Sequence, residues 1–334
     1  MFVAGLLFGP VKINFNQIIN ILMYYFGIIN IDEANFNSIQ EMVFVNIRLP
    51  RVLLTILVGM GLGTSGAILQ GLFRNPLVDP GFIGVSSGAA VGAMLAILFS
   101  QIISSFMPIL PVKFLLPVLA ISGSFLTTFL VYKMSKVLNK TNIMVMLLSG
   151  IAINAFSGSI IGLFVNISSD VELRTFTFWT LGGFDNASWD VILISMFCIL
   201  IPFAIAYRMK DEMDIFMLGD AEAQHLGVNI EFLKKKNIFI SSIMVGISVS
   251  FCGMIGFIGL VTPHLIRLFI GPNHKYLIPG SAILGAILLG IADLISKTII
   301  APAQLPVGII TSAIGAPFFV WLILGQKKRI SYSE

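Results

Sequence analysis

Charged side chains are scarce in this sequence, and their scarcity excludes most soluble folds. Asp, Glu, Lys and Arg together make up 11% of the 334 residues, whereas 57% are hydrophobic. Soluble domains carry about 25% charged residues, so this chain lacks the polar surface that such a domain needs. The composition is typical of a protein that lies in a lipid bilayer.

Motifs for nucleotide and metal binding are missing as well. The sequence contains no GxxxxGK[ST] phosphate-binding loop and no HExxH zinc motif, and its two cysteines and three histidines form no ligand-spaced cluster. The basic residues form no patch with interleaved aromatics, which disfavours a nucleic-acid partner. We therefore predict that the chain is not an enzyme and holds no metal.

What the sequence does contain is a series of long apolar segments. They fall at 52–73, 82–104, 114–134, 143–166, 190–207, 237–255, 256–270, 277–297 and 306–325. Such runs predict transmembrane helices, because a helix satisfies its own backbone hydrogen bonds within lipid. The piece at 256–270 is too short for a simple span and predicts a broken helix. With residues 1–10 as the tail of a first helix, we predict an all-α transmembrane bundle of about ten helices in one domain, 1–334.

The distribution of lysine and arginine predicts the orientation of these helices. Basic residues cluster at 133–140, 208–236 and 327–329. The opposite loops carry more acid, including Asp32 and Glu33, so the basic clusters are predicted to be cytoplasmic. This arrangement requires the short 256–270 segment to cross the membrane.

Two further segments are predicted to lie on the outer face. Residues 16–29 are apolar over too short a distance to span, and predict an interfacial helix with Tyr24 and Tyr25 at headgroup level. Residues 167–189 predict a long surface loop.

Two stretches, 52–93 and 238–270, share a pattern of a glycine-rich helix, a proline-containing break and a second helix. The first begins outside and the second inside, which is typical of an inverted repeat lining a transport path. The break at 74–93 is predicted to be either a tight cytoplasmic turn or a re-entrant element near that path.

Residues 208–236 form the one long polar segment between apolar ones. Within it, MLGDAEAQHLGV places Gly219 before two acids, Asp220 and Glu222, and follows the amphipathic stretch with Gly227 as a stop. Acids favour the first turn of a helix and glycine favours its end, so the pattern predicts a short surface helix between two turns. A polar segment of this length indicates a surface that a soluble protein contacts.

Several isolated charges need a reason to be where they are. Arg48 and Arg51 lie on the predicted outer side, where basic residues are disfavoured, so they either snorkel at the interface or bind an acidic partner. Lys297, at another outer helix end, is predicted to join them. Asp293 lies inside an apolar segment, and its spacing from Lys297 favours a structural ion pair over a transport role. The lone His264 is predicted to be a packing residue.

One long segment resembles the opening signature of the FecCD-type permeases: RLPRVLLTILVGMGLGTSGAILQGLFRNPLVDPGFIGVSSGAAVG. These are the membrane subunits of ABC importers for iron-siderophores, haem and cobalamin. The resemblance continues in the family's order through LGDAEAQHLGV, GFIGLVTPHLIRL, ADLISK and LPVGIITSAIGAPFFVWLIL, and covers about 40–325. About half of the family's first helix is missing from this pattern.

The resemblance implies a multi-pass protein of the cell membrane that dimerises with itself or a paralogue. It implies a pathway at the subunit interface, lined by the helices at 143–166 and 306–325. ATP is implied to bind to a separate ATPase subunit, so no cofactor is expected in this chain. Residues 211–231, within the polar segment, are implied to be the coupling segment that fits that ATPase. Its expected contact residues are Leu218, Gly219, Asp220, Glu222, Ala223, Leu226 and Gly227.

The resemblance also implies sites at each end of the pathway. Arg48, Arg51 and Lys297 match positions that dock acidic residues of an extracytoplasmic substrate-binding protein. The turn at Thr141, Asn142 and Ile143 matches a cytoplasmic gate. Iron-siderophore is the broad expectation for the cargo, with haem and cobalamin as alternatives.

Two rival functions remain open from the sequence. An ion-coupled secondary transporter also fits inverted repeats, but it needs ionisable groups near the midplane and leaves the polar segment unexplained. A structural or receptor-type membrane protein predicts neither an ATPase partner nor substrate flux.

Overall fold

Helices make up most of the chain that the structure describes. The computed structural model describes residues 2–9, 11–28, 35–106, 111–301 and 303–331. Its helices are α1 (Phe2–Leu7), α2 (Phe15–Tyr25), α3 (Ser38–Val43), α4 (Leu49–Leu72), α5 (Val85–Leu98), α6 (Ser100–Phe106), α7 (Val112–Met134), α8 (Ile143–Ile167), α9 (Asp170–Leu181), α10 (Trp189–Arg208), α11 (Lys210–Phe216), α12 (Asp220–His225), α13 (Ile230–Cys252), α14 (Ile258–Phe269), α15 (His274–Thr298) and α16 (Val307–Ser331). A π-helical turn (Phe44–Arg48) leads into α4, and a 3-10 turn (Pro80–Ile83) precedes α5. An antiparallel hairpin of β1 (Lys136–Val137) and β2 (Lys140–Thr141) precedes α8.

The helices follow the predicted apolar segments closely. Among the described residues, five helices are long and apolar enough to cross a membrane, and α5 with α6 forms a sixth candidate that is bent by 84°. The predicted all-α transmembrane bundle is thereby confirmed. The short segment near 256–270 is the 12-residue helix α14, as its length required.

The loops meet in two groups at opposite ends of the bundle. Arg51 bonds Asp185 at one end, where both were predicted to be outside. Arg74 bonds Asp220 at the other end, beside the predicted cytoplasmic segment. The acids Asp32 and Glu33 lie outside the described residues, and so do the side chains of 327–329, so these parts of the orientation argument stay predictions.

Helix α14 connects the two ends, as the orientation requires. At the outer end the Gly183 amide donates to the Cys252 carbonyl over 2.8 Å. At the inner end the His274 amide donates to Asp214 over 2.9 Å. The chain between Cys252 and His274 therefore passes from one end of the bundle to the other, although its helix is short.

Helix α4 lies at the centre of the bundle and packs against α15, α13, α14 and α10. Glycines let these backbones approach closely, since a Cβ at Gly66 would overlap the carbonyl oxygen of Gly259. The two proline-containing breaks meet near this point, where Gly259 lies against Pro80. The breaks that sequence analysis singled out are thus neighbours in the core.

The surface that was predicted to face outward carries two further helices, α2 and α9. Helix α2 confirms the predicted helix at 16–29 as far as Tyr25; it buries Ile18 and Ile21 and exposes Phe15. The predicted loop at 167–189 was wrong in part, because α9 occupies its first half. Ser169 and Glu172 form a capping box at the start of α9, a signal that was present in the sequence.

Candidate functional site

The polar segment forms two short helices, α11 and α12, between the spans α10 and α13. Gly219 precedes α12 with φ 135° and Gly227 follows it with φ 84°, backbone conformations that side chains other than glycine rarely adopt. Asp220 and Glu222 lie in the first turn of α12. The predicted short helix between two glycine turns is therefore confirmed.

Helix α12 is anchored on one side and exposed on the other. Ala223 is fully buried against the core cluster that also contains Phe216. On the free side, Leu218 and Leu226 are 64% and 60% exposed, and Glu222 is exposed between them. Exposed leucines around an acidic helix form a surface suited to a protein partner.

Asp220 holds α12 to the rest of the protein through two cations. Its Oδ1 lies 2.6 Å from the guanidinium of Arg74, and its Oδ2 lies 2.9 Å from Nζ of Lys234. Partial burial raises the pKa of Asp220, but the hydrogen bonds from Lys234 and Arg74 outweigh it and hold the pKa below its usual value. The carboxylate is therefore ionised at neutral pH, and α12 is fixed at its first residue.

The predicted gate turn lies beside this anchor. Leu138 and Asn139 turn the β1–β2 hairpin with positive φ, and Asn142 caps α8 by accepting from the Val145 amide over 3.1 Å. Ile143, the first residue of α8, packs against the core cluster.

Thr141 carries most of the polar contacts of the gate turn. Its hydroxyl and amide both donate to the Glu231 carboxylate, over 2.8 Å and 2.9 Å, and its carbonyl accepts from Lys234 over 3.2 Å. The gate turn and α12 together line a cavity of about 340 Å³ with Asp220 and Lys234 on its wall. The structure therefore places the predicted coupling residues and the predicted gate residues together.

The three outer basic residues predicted to dock a partner are buried. Arg48, Arg51 and Lys297 are 5%, 8% and 7% exposed. The Arg48 guanidinium donates to the carbonyls of Leu6 and Leu7 over 2.6 and 2.8 Å, at the end of α1.

Arg51 is saturated by side chains from three parts of the chain. It donates to Asp293 over 2.9 Å, to Asp185 over 2.8 Å and to Gln304 over 2.7 Å. Lys297 donates to the Gly5 carbonyl over 2.7 Å. In this structure internal acceptors hold all three cations, and their role in docking a partner stays a prediction.

The predicted ion pair of Asp293 with Lys297 is present, and the structure adds a second partner; the preference for a structural over a transport role stays a prediction. The Asp293 carboxylate lies 3.8 Å from Nζ of Lys297, four residues on, as the spacing indicated. Sequence reasoning missed the closer partner, Arg51 at 2.9 Å, because the two are 242 residues apart in the chain.

His264 packs edge-on against the Phe318 ring, at 6.2 Å between ring centroids, in line with the predicted packing role.

A larger cavity opens at the outer end, beneath α9. Its volume is about 580 Å³, and its wall includes Arg174, Phe178 and Trp179 of α9 together with Asp185 and Gln304. It was not predicted from the sequence, because it forms where α9 meets three separate loops.

Comparison with known proteins identifies the family. A model of the FecCD transport family matches residues 1–325. The chain belongs to the FecCD family. The family resemblance recognised in the sequence is thereby confirmed, whereas the coupling and gate roles of particular residues stay predictions.

Relatives of this FecCD protein share most of its length. The hemin transport system permease protein HmuU of Yersinia pestis is 43% identical over 301 residues, covering 90% of this chain and 88% of HmuU. The cobalamin import system permease protein BtuC of Halobacterium salinarum is 35% identical over 289 residues, covering 86% of this chain and 75% of BtuC. A solved inward-facing transporter classed as metal-chelate ABC type is 32% identical, with a TM-score of 0.78 over 92% of this chain and 96% of that one.

Membership of the FecCD family establishes the class of this protein and its location. It is a multi-pass permease of the ABC transporter class, located in the inner or plasma membrane. Permeases of this family work with an ATPase and a substrate-binding protein. None of the relatives reported above is named for a siderophore, so the siderophore expectation gains no support from them.

Proposed function

We propose that this chain is the permease subunit of a haem importer, with a cobalamin-type corrinoid as the second candidate cargo. The observation that carries the proposal is the 43% identity, over 90% of the chain, with a permease named for hemin transport. The relative named for cobalamin import is more distant, at 35% identity.

The outer cavity supports a flat, anionic cargo. Phe178 and Trp179 offer aromatic surface, and the exposed guanidinium of Arg174 offers a positive charge. The Trp179 Nε1 donor is buried and has no acceptor within the described residues. A haem has a flat aromatic ring system that can stack on Phe178 and Trp179. It also has carboxylates that can accept hydrogen bonds from Arg174 and from Trp179 Nε1. We therefore place the entry point of the cargo beneath α9.

The inner end supports an ATPase partner. Leu218, Glu222 and Leu226 are exposed on α12, while Ala223 and Asp220 fix the helix to the bundle. A helix that is rigidly attached on one side and exposed on the other transmits a push from a partner to the spans. ATP would bind to that partner, and its closure would move α11 and α12 as a unit.

We also propose that the binding protein docks at the outer end, but through Arg51 alone of the three basic residues. The Asp185 side chain is 69% exposed, so its bond to Arg51 is the one that a carboxylate of a docking protein can replace. Arg48 and Lys297 hold backbone carbonyls of α1 instead, and we assign them to the support of this surface.

The cargo is tested by uptake into proteoliposomes that contain the permease, its ATPase and its binding protein. We expect ATP-dependent uptake of hemin that exceeds uptake of cyanocobalamin and of a ferric siderophore at least tenfold. Arg174→Gln should lower hemin uptake several-fold, and Lys12→Gln, which alters another exposed basic residue, should not.

Three outcomes would contradict parts of this proposal. Uptake of the corrinoid alone would replace haem by the second candidate. Uptake of the ferric siderophore alone would restore the original expectation. Uptake driven by an ion gradient without ATP would indicate a secondary transporter.

A further inference from the structure

A buried lysine lies between the coupling segment and the gate turn. Lys234, on α13, is 5% exposed and contacts both α12 and the β1–β2 hairpin. We propose that Lys234 is the positioning residue that makes the gate turn follow the coupling segment when the ATPase moves it. The inference rests on the proposed function, because it assumes an ATPase that acts on α12.

The contacts of Lys234 point in two directions from one ammonium group. Its Nζ donates to Asp220 Oδ2 over 2.9 Å, at the first residue of α12, and to the Thr141 carbonyl over 3.2 Å, in the gate turn. The same Nζ lies 5.8 Å from the centroid of the Phe216 ring, which closes its remaining side. A buried cation with these two acceptors holds the two segments at a fixed separation.

Glu231 strengthens the connection from the same helix. It lies three residues before Lys234, on the same side of α13, and its carboxylate accepts from the amide and hydroxyl of Thr141. The gate turn is therefore bonded to α13 twice, through a donor and an acceptor. Among the described residues, Lys234 is the side chain that joins this pairing to α12, through its bond to Asp220.

Arg74 is the other cation on Asp220, and it has a different role. It belongs to the connection between α4 and the 3-10 turn, donates also to the Phe216 carbonyl over 2.6 Å, and stacks on the Phe216 ring at 4.1 Å. It therefore ties α12 to the central helix and to α11. Within the described residues its hydrogen bonds and its ring contact go to Asp220 and Phe216, so the direct polar link between α12 and the gate turn runs through Lys234.

The link through Lys234 can be removed without unfolding α12 or the gate turn, because each of them keeps another bond. Without the Lys234 ammonium, Asp220 keeps Arg74 and Thr141 keeps Glu231. Lys234→Met retains most of the side-chain volume and removes only the charge and its hydrogen bonds. The adjacent Lys235 is exposed, which makes Lys235→Met a matched control.

The test compares transport with ATP hydrolysis in the complex of permease and ATPase, reconstituted with the binding protein. Lys234→Met should co-purify with the ATPase as the wild type does, but should move at least tenfold less cargo for each ATP hydrolysed. Lys234→Arg should restore most of this ratio, and Lys235→Met should not change it. An unchanged ratio in Lys234→Met overturns the proposal.

A second measurement follows the movement itself. Spin labels at Leu138, which is 93% exposed at the hairpin tip, and at His225 on α12 report the separation of the two segments in a Cys198→Ser background. We expect one narrow distance distribution with and without ATP in the wild type, and a broadened one in Lys234→Met. Equal distributions in both proteins would overturn the proposal.

Two other outcomes remain interpretable. If Lys234→Met does not fold, Asp220→Asn removes the carboxylate from the same link and must also lower the cargo moved per ATP; a wild-type ratio there contradicts the proposal. If the wild-type permease does not bind an ATPase, the proposed function has failed, which this design distinguishes from a failure of the link.

Discussion

The two carboxylates that bind Arg51 allow a matched test of how the outer end is stabilised. Asp293 and Asp185 both lie within 2.9 Å of the same guanidinium, but their side chains are 4% and 69% exposed. Replacing each by Asn removes one negative charge and changes the shape little. The pair therefore isolates the effect of burial on an ion pair with a shared partner.

The expected magnitudes differ because only one of the two charges is buried. Breaking a buried ion pair costs about 3–5 kcal/mol, since the remaining charge stays buried without its partner. Asp293→Asn leaves Lys297 without a carboxylate and leaves Arg51 with only the exposed Asp185 as its anionic partner. Because Arg51 keeps that partner and Asn still accepts one hydrogen bond, we expect a loss of about 3 kcal/mol, at the lower end of this range. An exposed pair contributes about 0–1 kcal/mol, which is our expectation for Asp185→Asn.

The assay is thermal unfolding of the purified permease in detergent. With a shift of roughly 2 °C for each kcal/mol, Asp293→Asn should lower the midpoint by about 6 °C, and Asp185→Asn by about 2 °C or less. Asp190→Asn, which breaks the exposed pair with Lys113 at 2.7 Å, serves as the control for a surface charge. Equal shifts for Asp293→Asn and Asp185→Asn would refute the structural role given to the buried pair.

Three further predictions concern packing, pH and the partner surface. Gly66→Ala should lower the thermal midpoint clearly, because its Cβ would overlap the Gly259 carbonyl, whereas Gly162→Ala, with open space around it, should not; equal effects would contradict the close helix packing. The pKa of Asp220 lies below its usual value, so the stability it contributes is present above about pH 4 and is lost as the pH falls further. The difference in thermal midpoint between wild type and Asp220→Asn should therefore stay constant from pH 8 to pH 5 and shrink only below about pH 4; a difference that shrinks near pH 6 would contradict this. Leu218→Ser should reduce co-purification of the ATPase several-fold without changing the thermal midpoint, and unchanged co-purification would remove this leucine from the contact surface.

The parts of the fold that sequence analysis predicted are those set by local patterns. Long apolar runs fixed the spans, and the pattern of Gly219, two acids and Gly227 fixed α12, because helix ends depend on residues within one turn. The ion pair of Asp293 with Lys297 was predicted for the same reason, since residues four apart face each other on a helix.

The parts that were missed depend on contacts between distant segments. Nothing in the sequence relates Arg51 to Asp293, or Lys234 to Thr141, because each pair meets only after the helices have packed. The burial of Arg48 is a further case, since two of its acceptors belong to α1, a segment that sequence analysis treated as a remnant, and a third, the Val11 carbonyl, follows that helix. Helix α9 is different, because its capping box was readable and was overlooked.

The central claim is that an ATPase acts on this permease through α11 and α12. The most direct measurement is co-purification of the tagged permease with its ATPase, alongside a variant that carries Gly219→Pro and Glu222→Lys. A proline fits neither the φ of 135° at position 219 nor the turn that it makes. We predict that the wild type retains the ATPase and that the variant inserts in the membrane but loses it. A wild-type permease that binds no ATPase, or a variant that binds it equally well, would contradict the claim.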